Sequence, residues 1–258
     1  MGTRAVSLKA QIAGAQPVLG TFVKTPHPHI VEVLATSGLD CVCLDAEHAP
    51  FDRGDLDRCI LAARATSFPV LVRTPTGAPQ DILNALDCGA DGVVVPHVRS
   101  AADARAVAAC AHYGARGSLP SRGYAGSSRA AGYGGSSIPQ HLSSSAEKTV
   151  VVAQIEDLEA LDCIEEIAAV DGIDVLFIGR IDLTVALGCT SPDDPRVIAA
   201  VEQVLAAATR AGRPAGMFTP RAEDVPDWRR KGAAFFLLGS DHVFIRSGAM
   251  ALRTQAGL

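Results

Sequence analysis

Gly92-Val93-Val94-Val95-Pro96 is a run of small and β-branched residues with no polar break, and its reading decides the fold. A strand wetted on one face would alternate apolar and polar residues. An unbroken run suits a strand covered on both faces, as in a parallel sheet packed beneath helices. Extended to Gly92–Val98, it has seven counterparts along the chain: Pro17–Lys24, Cys41–Glu47, Pro69–Thr74, Thr149–Ile155, Val175–Gly179, Pro214–Thr219 and Ala234–Gly239. After each comes a stretch of helical period: Pro28–Ser37, Asp52–Ala65, Pro79–Cys88, Ala101–Tyr113, Leu158–Val170, Pro195–Ala211, Ala222–Lys231 and a tail from Asp241. Gly38, Gly89 and Gly232 stand where left-handed C-terminal caps are expected. Eight strand–helix units in 258 residues predict an α/β fold, a (β/α)8 TIM barrel forming one domain over residues 1–258. The alternative, an open doubly wound sheet, lacks a GxGxxG after its first strand.

Composition narrows the function. With 48% apolar residues and 28 acidic against 23 basic side chains, the chain is neither disordered nor a polyanion binder, so no nucleic-acid partner is expected. Its apolar runs stop far short of the roughly 20 residues that cross a bilayer, so no membrane partner is expected either. Seven cysteines, without a CxxC pair or a secretory leader, predict a reduced, cytoplasmic protein. Residues 114–146, with seven Gly and nine Ser, break the rhythm and read as a long loop on the N-terminal side of a strand.

A barrel of this kind builds its active site at the strand carboxyl ends. The polar residues there are Asp45-Ala46-Glu47-His48, Arg73, Gln154-Ile155-Glu156-Asp157 and Gly179-Arg180-Ile181-Asp182. Glu156 and Asp182 close adjacent strands and can offer two oxygen ligands to a divalent cation such as Mg2+ or Mn2+, or respectively pair with an arginine and cap a helix. Gln154 shares the face of Glu156 and can hold a substrate oxygen. His48 is the proton-transfer candidate, with His97 as a rival. Arg73 ends an otherwise apolar strand and needs an anion from protein or ligand. Among four lysines only Lys24 closes a strand, which keeps an imine-forming aldolase open. Cys41 and Cys43 read as core residues, and no GxSxG or HExxH occurs.

The segments Leu19-Gly20-Thr21-Phe22-Val23-Lys24, Leu44-Asp45-Ala46-Glu47-His48-Ala49-Pro50, Val72-Arg73, Gln154-Ile155-Glu156 and Phe177-Ile178-Gly179-Arg180-Ile181-Asp182-Leu183 together resemble the HpcH/HpaI aldolase family. These are metal-dependent pyruvate aldolases acting on 4-hydroxy-2-oxo acids and 2-keto-3-deoxy sugar acids. The resemblance implies a barrel whose last helix is exchanged within a dimer, and a homohexamer built as a trimer of dimers. By the same resemblance His48 is the general base and Asp87 is its acidic partner, reaching it from a neighbouring subunit. Arg73 stabilises the enolate, while Gln154 and the Ile181 amide bind substrate. Glu156 and Asp182 hold Mg2+, Mn2+ or Co2+, with Asp182 also a substrate-binding residue. The small-molecule partners implied are an oxo acid and an aldehyde. A CoA-ester lyase or oxaloacetate decarboxylase on the same scaffold, or a non-catalytic member, are the alternatives.

Two departures stand out. Arg180 replaces the proline of the usual Gly-Pro-x-Asp-Leu, which predicts either recognition of an anionic second substrate or a salt bridge at the rim. The usual Tyr-Pro-Pro-x-Gly-x-Arg-Gly is matched only in part, by Tyr113-Gly114-Ala115-Arg116-Gly117 or by Ser121-Arg122-Gly123.

Overall fold

The computed structural model describes residues 6–14, 16–114 and 122–257; Ala115, Arg116, Gly117 and Ser121 of the two loop registers lie outside the described residues. The strands are β1 (Val18–Val23), β2 (Cys41–Asp45), β3 (Val70–Arg73), β4 (Gly92–Val95), β5 (Val150–Ile155), β6 (Val175–Ile178), β7 (Ala215–Thr219) and β8 (Ala233–Ser240). They close into a barrel in chain order, and each neighbouring pair, β8 with β1 included, is parallel. The helices are α1 (Leu8–Ala13), α2 (Pro28–Leu34), α3 (Arg53–Ala65), α4 (Pro79–Asp87), α5 (Ala101–Ala111), α6 (Ile138–Lys148), α7 (Leu158–Asp162), α8 (Ile164–Ala168), α9 (Arg180–Ala186), α10 (Pro195–Arg210), α11 (Val225–Arg230) and α12 (Asp241–Gln255). A 3-10 turn, Ala222–Asp224, precedes α11.

Successive side chains of a strand point to opposite faces, so each strand divides between two cores. Phe22, Cys41, Cys43, Leu71, Val94, Val150, Val152, Val175, Phe177, Phe235 and Leu237 fill the barrel interior. The residues between them, such as Val42, Val72, Val93, Val95, Val151 and Ile178, pack beneath the helices. This double burial is why the runs carry no polar break. Gly20 is needed where β1 meets both neighbours: a Cβ there would stand 2.7 Å from Cys41 Sγ and 2.9 Å from Leu237 Cδ2.

All eight expected strands form, and most of the expected helices do. Strand β4 stops at Val95 rather than Val98, because Pro96 has no N–H for the ladder and His97 turns into the left-handed region at φ 55°. The expected helix 158–170 is two, α7 and α8, divided at Cys163. Three helices were not anticipated. In α1, Leu8 and Ile12 join the interior cluster, while Lys9 donates to Thr149 O at 2.8 Å and pairs with Asp174 at 3.1 Å, so α1 closes the end where the strands begin. The Gly/Ser-rich segment is not one long loop: residues 138–148 are α6, opened by a capping box between Ser137 and Gln140. His141, read as a loop residue, is buried on α6, with its Nε2 2.8 Å from the Tyr113 hydroxyl. The third, α9, starts directly after β6.

Two further features bear on assembly and setting. Helix α12 is capped by Ser240, and its first residue, Asp241, is buried, accepting from the Lys24 and Thr25 amides at 2.8 and 3.0 Å. Beyond that turn its apolar residues Phe244, Ile245, Met250 and Leu252 are exposed. No described helix is long and apolar enough to cross a membrane.

Candidate active site

Each polar residue of the mouth continues an inward-facing row: Cys41-Cys43-Asp45, Leu71-Arg73, Val152-Gln154-Glu156 and Val175-Phe177-Gly179. The β2–β3 register sets Asp45 directly beside Arg73. Arg73 Nε and Nη2 donate to the two Asp45 oxygens at 3.0 and 2.8 Å, and Lys24 Nζ pairs with the same carboxylate at 2.9 Å. Protein therefore supplies the anion that Arg73 required. Burial alone would raise the Asp45 pKa, but the two Arg73 bonds and the Lys24 ammonium outweigh it and hold the group at about 2. Two cations meet one carboxylate here, and the Arg73 guanidinium also lies 4.4 Å from the Phe22 ring centroid. The Lys24 amine, considered for imine chemistry, is bound to this carboxylate.

Glu156 is buried and serves two neighbours. Its Oε1 accepts the His97 backbone N–H at 2.9 Å and lies 3.4 Å from His97 Nδ1, while its Oε2 accepts from Gln154 Nε2. The left-handed turn at His97 aims that N–H. The other Gln154 amide atom, Oε1, is buried without a hydrogen-bond partner among the described residues. Asp182, the third residue of α9, is not a helix cap. Its carboxylate approaches Glu156 over Gly179, where a Cβ would stand 2.7 Å from Glu156 Oε2 and 3.5 Å from Asp182 Oδ2. The missing side chain leaves room between two acids, an oxygen donor set that suits a hard divalent cation. Among the described residues, Glu47, His97 and Glu156 also bring one donor atom each within 4.8 Å of one another.

Sequence reasoning left Glu47 without a role and His97 as a mere rival. Glu47 Oε2 is buried without a hydrogen bond among the described residues, 3.3 Å from Arg73 Nε, and its Oε1 lies 3.8 Å from His97 Nε2. Desolvation raises the Glu47 pKa against the pull of Arg73 and His48. For His97 desolvation acts downward, but Asp157, 3.0 Å from Nδ1, and the nearby glutamates carry its pKa upward. His48 is half exposed, with Nε2 3.7 Å from Glu47 Oε2, and its backbone N–H donates to Asp45 Oδ1 at 3.1 Å.

His48, Arg73, Gln154, Ile181 and Asp182 line one cavity of about 260 Å³, with Lys24, Gly179 and Arg180. An aromatic wall of Phe22, Phe177 and Phe218 completes it, the Phe22–Phe218 centroids being 5.9 Å apart. The wall was missed because only polar strand ends were inspected; the inward parity of Phe22 and Phe177 was the available signal. The Ile181 N–H lies in the first turn of α9, where backbone donors have no intrahelical acceptor.

Asp87 is not in this cavity. It ends α4, and helices of such a barrel end where the strands begin, so it lies on the opposite face from His48. Within the chain it accepts from Arg122 Nη2 at 2.9 Å.

A closed eight-stranded parallel barrel with carboxylates, an arginine and an amide converging at its carboxyl end defines a (β/α)8 protein of the enzyme type, with a donor set suited to a divalent ion. The chain belongs to the HpcH/HpaI aldolase/citrate lyase family, which it matches over residues 19–247. It is 34% identical over 249 residues to a 5-keto-4-deoxy-D-glucarate aldolase of Klebsiella pneumoniae, covering 95% of this chain and 94% of that protein. It is 31% identical to a hydroxypyruvate/pyruvate aldolase of Roseovarius nubinhibens, covering 94% and 93%. A solved HpcH/HpaI aldolase/citrate lyase family protein from Burkholderia cenocepacia superposes with a TM-score of 0.89 at 30% identity, covering 96% of this chain and 98% of that one.

Proposed function

We propose that the chain is a divalent-cation-dependent aldolase that reversibly cleaves a 4-hydroxy-2-oxo acid, or a 2-keto-3-deoxy sugar acid, to pyruvate and an aldehyde. The observation that carries this reading is that the Glu156 and Asp182 carboxylates flank the empty side-chain position of Gly179, with Asp182, Arg73 and Gln154 lining one cavity. The named aldolases among its relatives support it. Glu156 and Asp182 would hold Mg2+, Mn2+ or Co2+, and the ion would supply Lewis-acid chemistry to the oxo acid.

The chain's own groups do the rest. Gln154 and the Ile181 N–H orient the oxo acid. His48 takes the proton of the 4-hydroxyl, the C3–C4 electron pair passes into the pyruvate enolate, and the aldehyde leaves. Arg73, locked by Asp45, sets a fixed positive charge beside the developing oxyanion, and C3 then takes up a proton to give pyruvate. Condensation retraces the path.

The reading treats residues 1–258 as one catalytic domain in a homo-oligomer, a hexamer of three dimers with α12 exchanged within each dimer. Two observations support it: the apolar residues of α12 are exposed, and Asp87 lies at the opposite end of its own barrel from His48, as an acid serving a second copy would. Seven free cysteines suit a reducing cytoplasm.

Pyruvate release from 4-hydroxy-2-oxo acids tests the activity. EDTA should abolish it and Mn2+, Co2+ or Mg2+ restore it, while borohydride with pyruvate leaves the mass of the chain unchanged. An adduct on Lys24 would overturn the cation reading.

A further inference from the structure

The turn after β6 brings Ile181 and Asp182 to the mouth, yet little within it holds them there. Helix α9 has seven residues, and its N-cap, Gly179, has no side chain to accept from the first turn. So short a helix is marginal by itself. The Asp182 side chain is exposed, and no hydrogen bond or ion pair among the described residues restrains it.

Arg180 restrains the turn from outside. It is the first residue of α9, is only 4% exposed, and lies with its guanidinium 5.1 Å from the Trp228 ring centroid. Its Nε and Nη2 donate to Pro192 O at 3.1 and 2.8 Å, and Nη2 also donates to Asp193 Oδ1 at 2.6 Å. Asp193 accepts in turn from Arg221 Nη2 at 3.1 Å, and Arg221 Nε donates to Asp224 at 2.9 Å. One guanidinium thus ties the start of α9 to the connection before α10 and to the segment between β7 and α11. A buried cation is costly unless answered, and Asp193, with Asp224 at 3.9 Å, answers this one. These contacts favour the rim salt bridge over a charge reserved for a substrate anion.

We propose that Arg180 is a positioning residue: by anchoring the first turn of α9 to Pro192–Asp193 and Trp228, it keeps the Asp182 carboxylate beside that of Glu156 and the Ile181 N–H aimed into the mouth. This rests on reading Glu156 and Asp182 as the cation ligands.

The test is Mn2+ binding to the full chain by titration calorimetry, with steady-state kinetics alongside. Arg180→Met keeps the stem over Trp228 and removes the fork. It should raise the Mn2+ dissociation constant about 10- to 100-fold, the range for groups that orient metal ligands. Arg180→Lys, which reaches one acceptor but cannot fork, should recover part of the loss. kcat should fall, while the KM values of dicarboxylate and neutral 4-hydroxy-2-oxo acids keep their ratio.

A wild-type chain that binds no Mn2+ removes the cation reading and this inference together. A wild type that binds, beside a folded Arg180→Met of equal affinity, overturns this inference alone, whether or not the melting temperature drops. A KM rise confined to dicarboxylates at unchanged Mn2+ affinity overturns it in favour of direct substrate contact. Asp193→Asn, at an exposed position, should move Mn2+ affinity the same way by less, and it decides the matter if Arg180→Met does not fold.

Discussion

Two arginines are buried against aspartates at opposite ends of the barrel, and the pairs are built differently. At the mouth, Arg73 meets a fully buried Asp45 through two bonds, and Lys24 adds a second cation to the same carboxylate. At the floor, Arg122 gives Asp87 one bond of 2.9 Å, stacks 4.9 Å from the Tyr113 ring centroid, and leaves Nε buried without a partner among the described residues. The mouth pair sits in a cluster of two cations and two carboxylates, since Glu47 Oε2 lies 3.3 Å from Arg73 Nε, and Arg73 and Lys24 both line a cavity of about 260 Å³. The floor pair is balanced one to one, and Arg122 thereby pins the residues before α6 to the end of α4. Identical side chains can thus serve chemistry at one end and assembly of the scaffold at the other, according to the charges clustered around them.

Breaking each pair separates these roles. Arg73→Met should lower kcat about 10²- to 10³-fold, the cost of removing one preorganised oxyanion-stabilising group, with Mn2+ affinity retained in calorimetry. Arg122→Met should cost about 3 kcal/mol in denaturant unfolding, because Asp87 is left without its cation. A kcat loss without loss of stability would contradict the scaffold role of Arg122.

Mixing variants sharpens the contrast further. If the floor of one copy serves the mouth of the next, His48→Ala and Asp87→Ala chains, each inactive alone, regain part of the activity when co-expressed. Failure of complementation in a verified mixed oligomer would confine Asp87 to its own chain.

The smallest effect is in acid. The Asp45 pKa is depressed from 3.8 to about 2, so its contribution is complete above the unfolded value and is lost as pH falls through the folded one. The melting-temperature gap between wild type and Asp45→Asn should hold from neutral pH to about 4 and shrink toward 2.

Much of the mouth was legible before the fold was known. Inward and outward positions alternate along a strand, so Gln154 and Glu156 share a face in any register, and the polar ends of apolar runs mark a barrel mouth. Glu47 and His97 were harder, because their placement depends on a left-handed turn at His97 that follows Pro96 and swings a backbone N–H onto Glu156. Helix α6 hid in a composition that favours loops; its capping box and the burial of His141 and Ser145 override that preference. Helix α9 escaped notice because its seven residues follow a strand without a side-chain N-cap.

The sequence by itself determined the parallel barrel, the eight strands and the row of acids, arginine and amide at their carboxyl ends, because period and polarity are local properties of the chain. Only the tertiary structure decided which charges answer which. Closing the barrel sets Asp45 beside Arg73, draws Glu156 and Asp182 together over a residue with no side chain, and sends Asp87 to the far end, since such neighbours come from strand register and closure rather than from spacing along the chain.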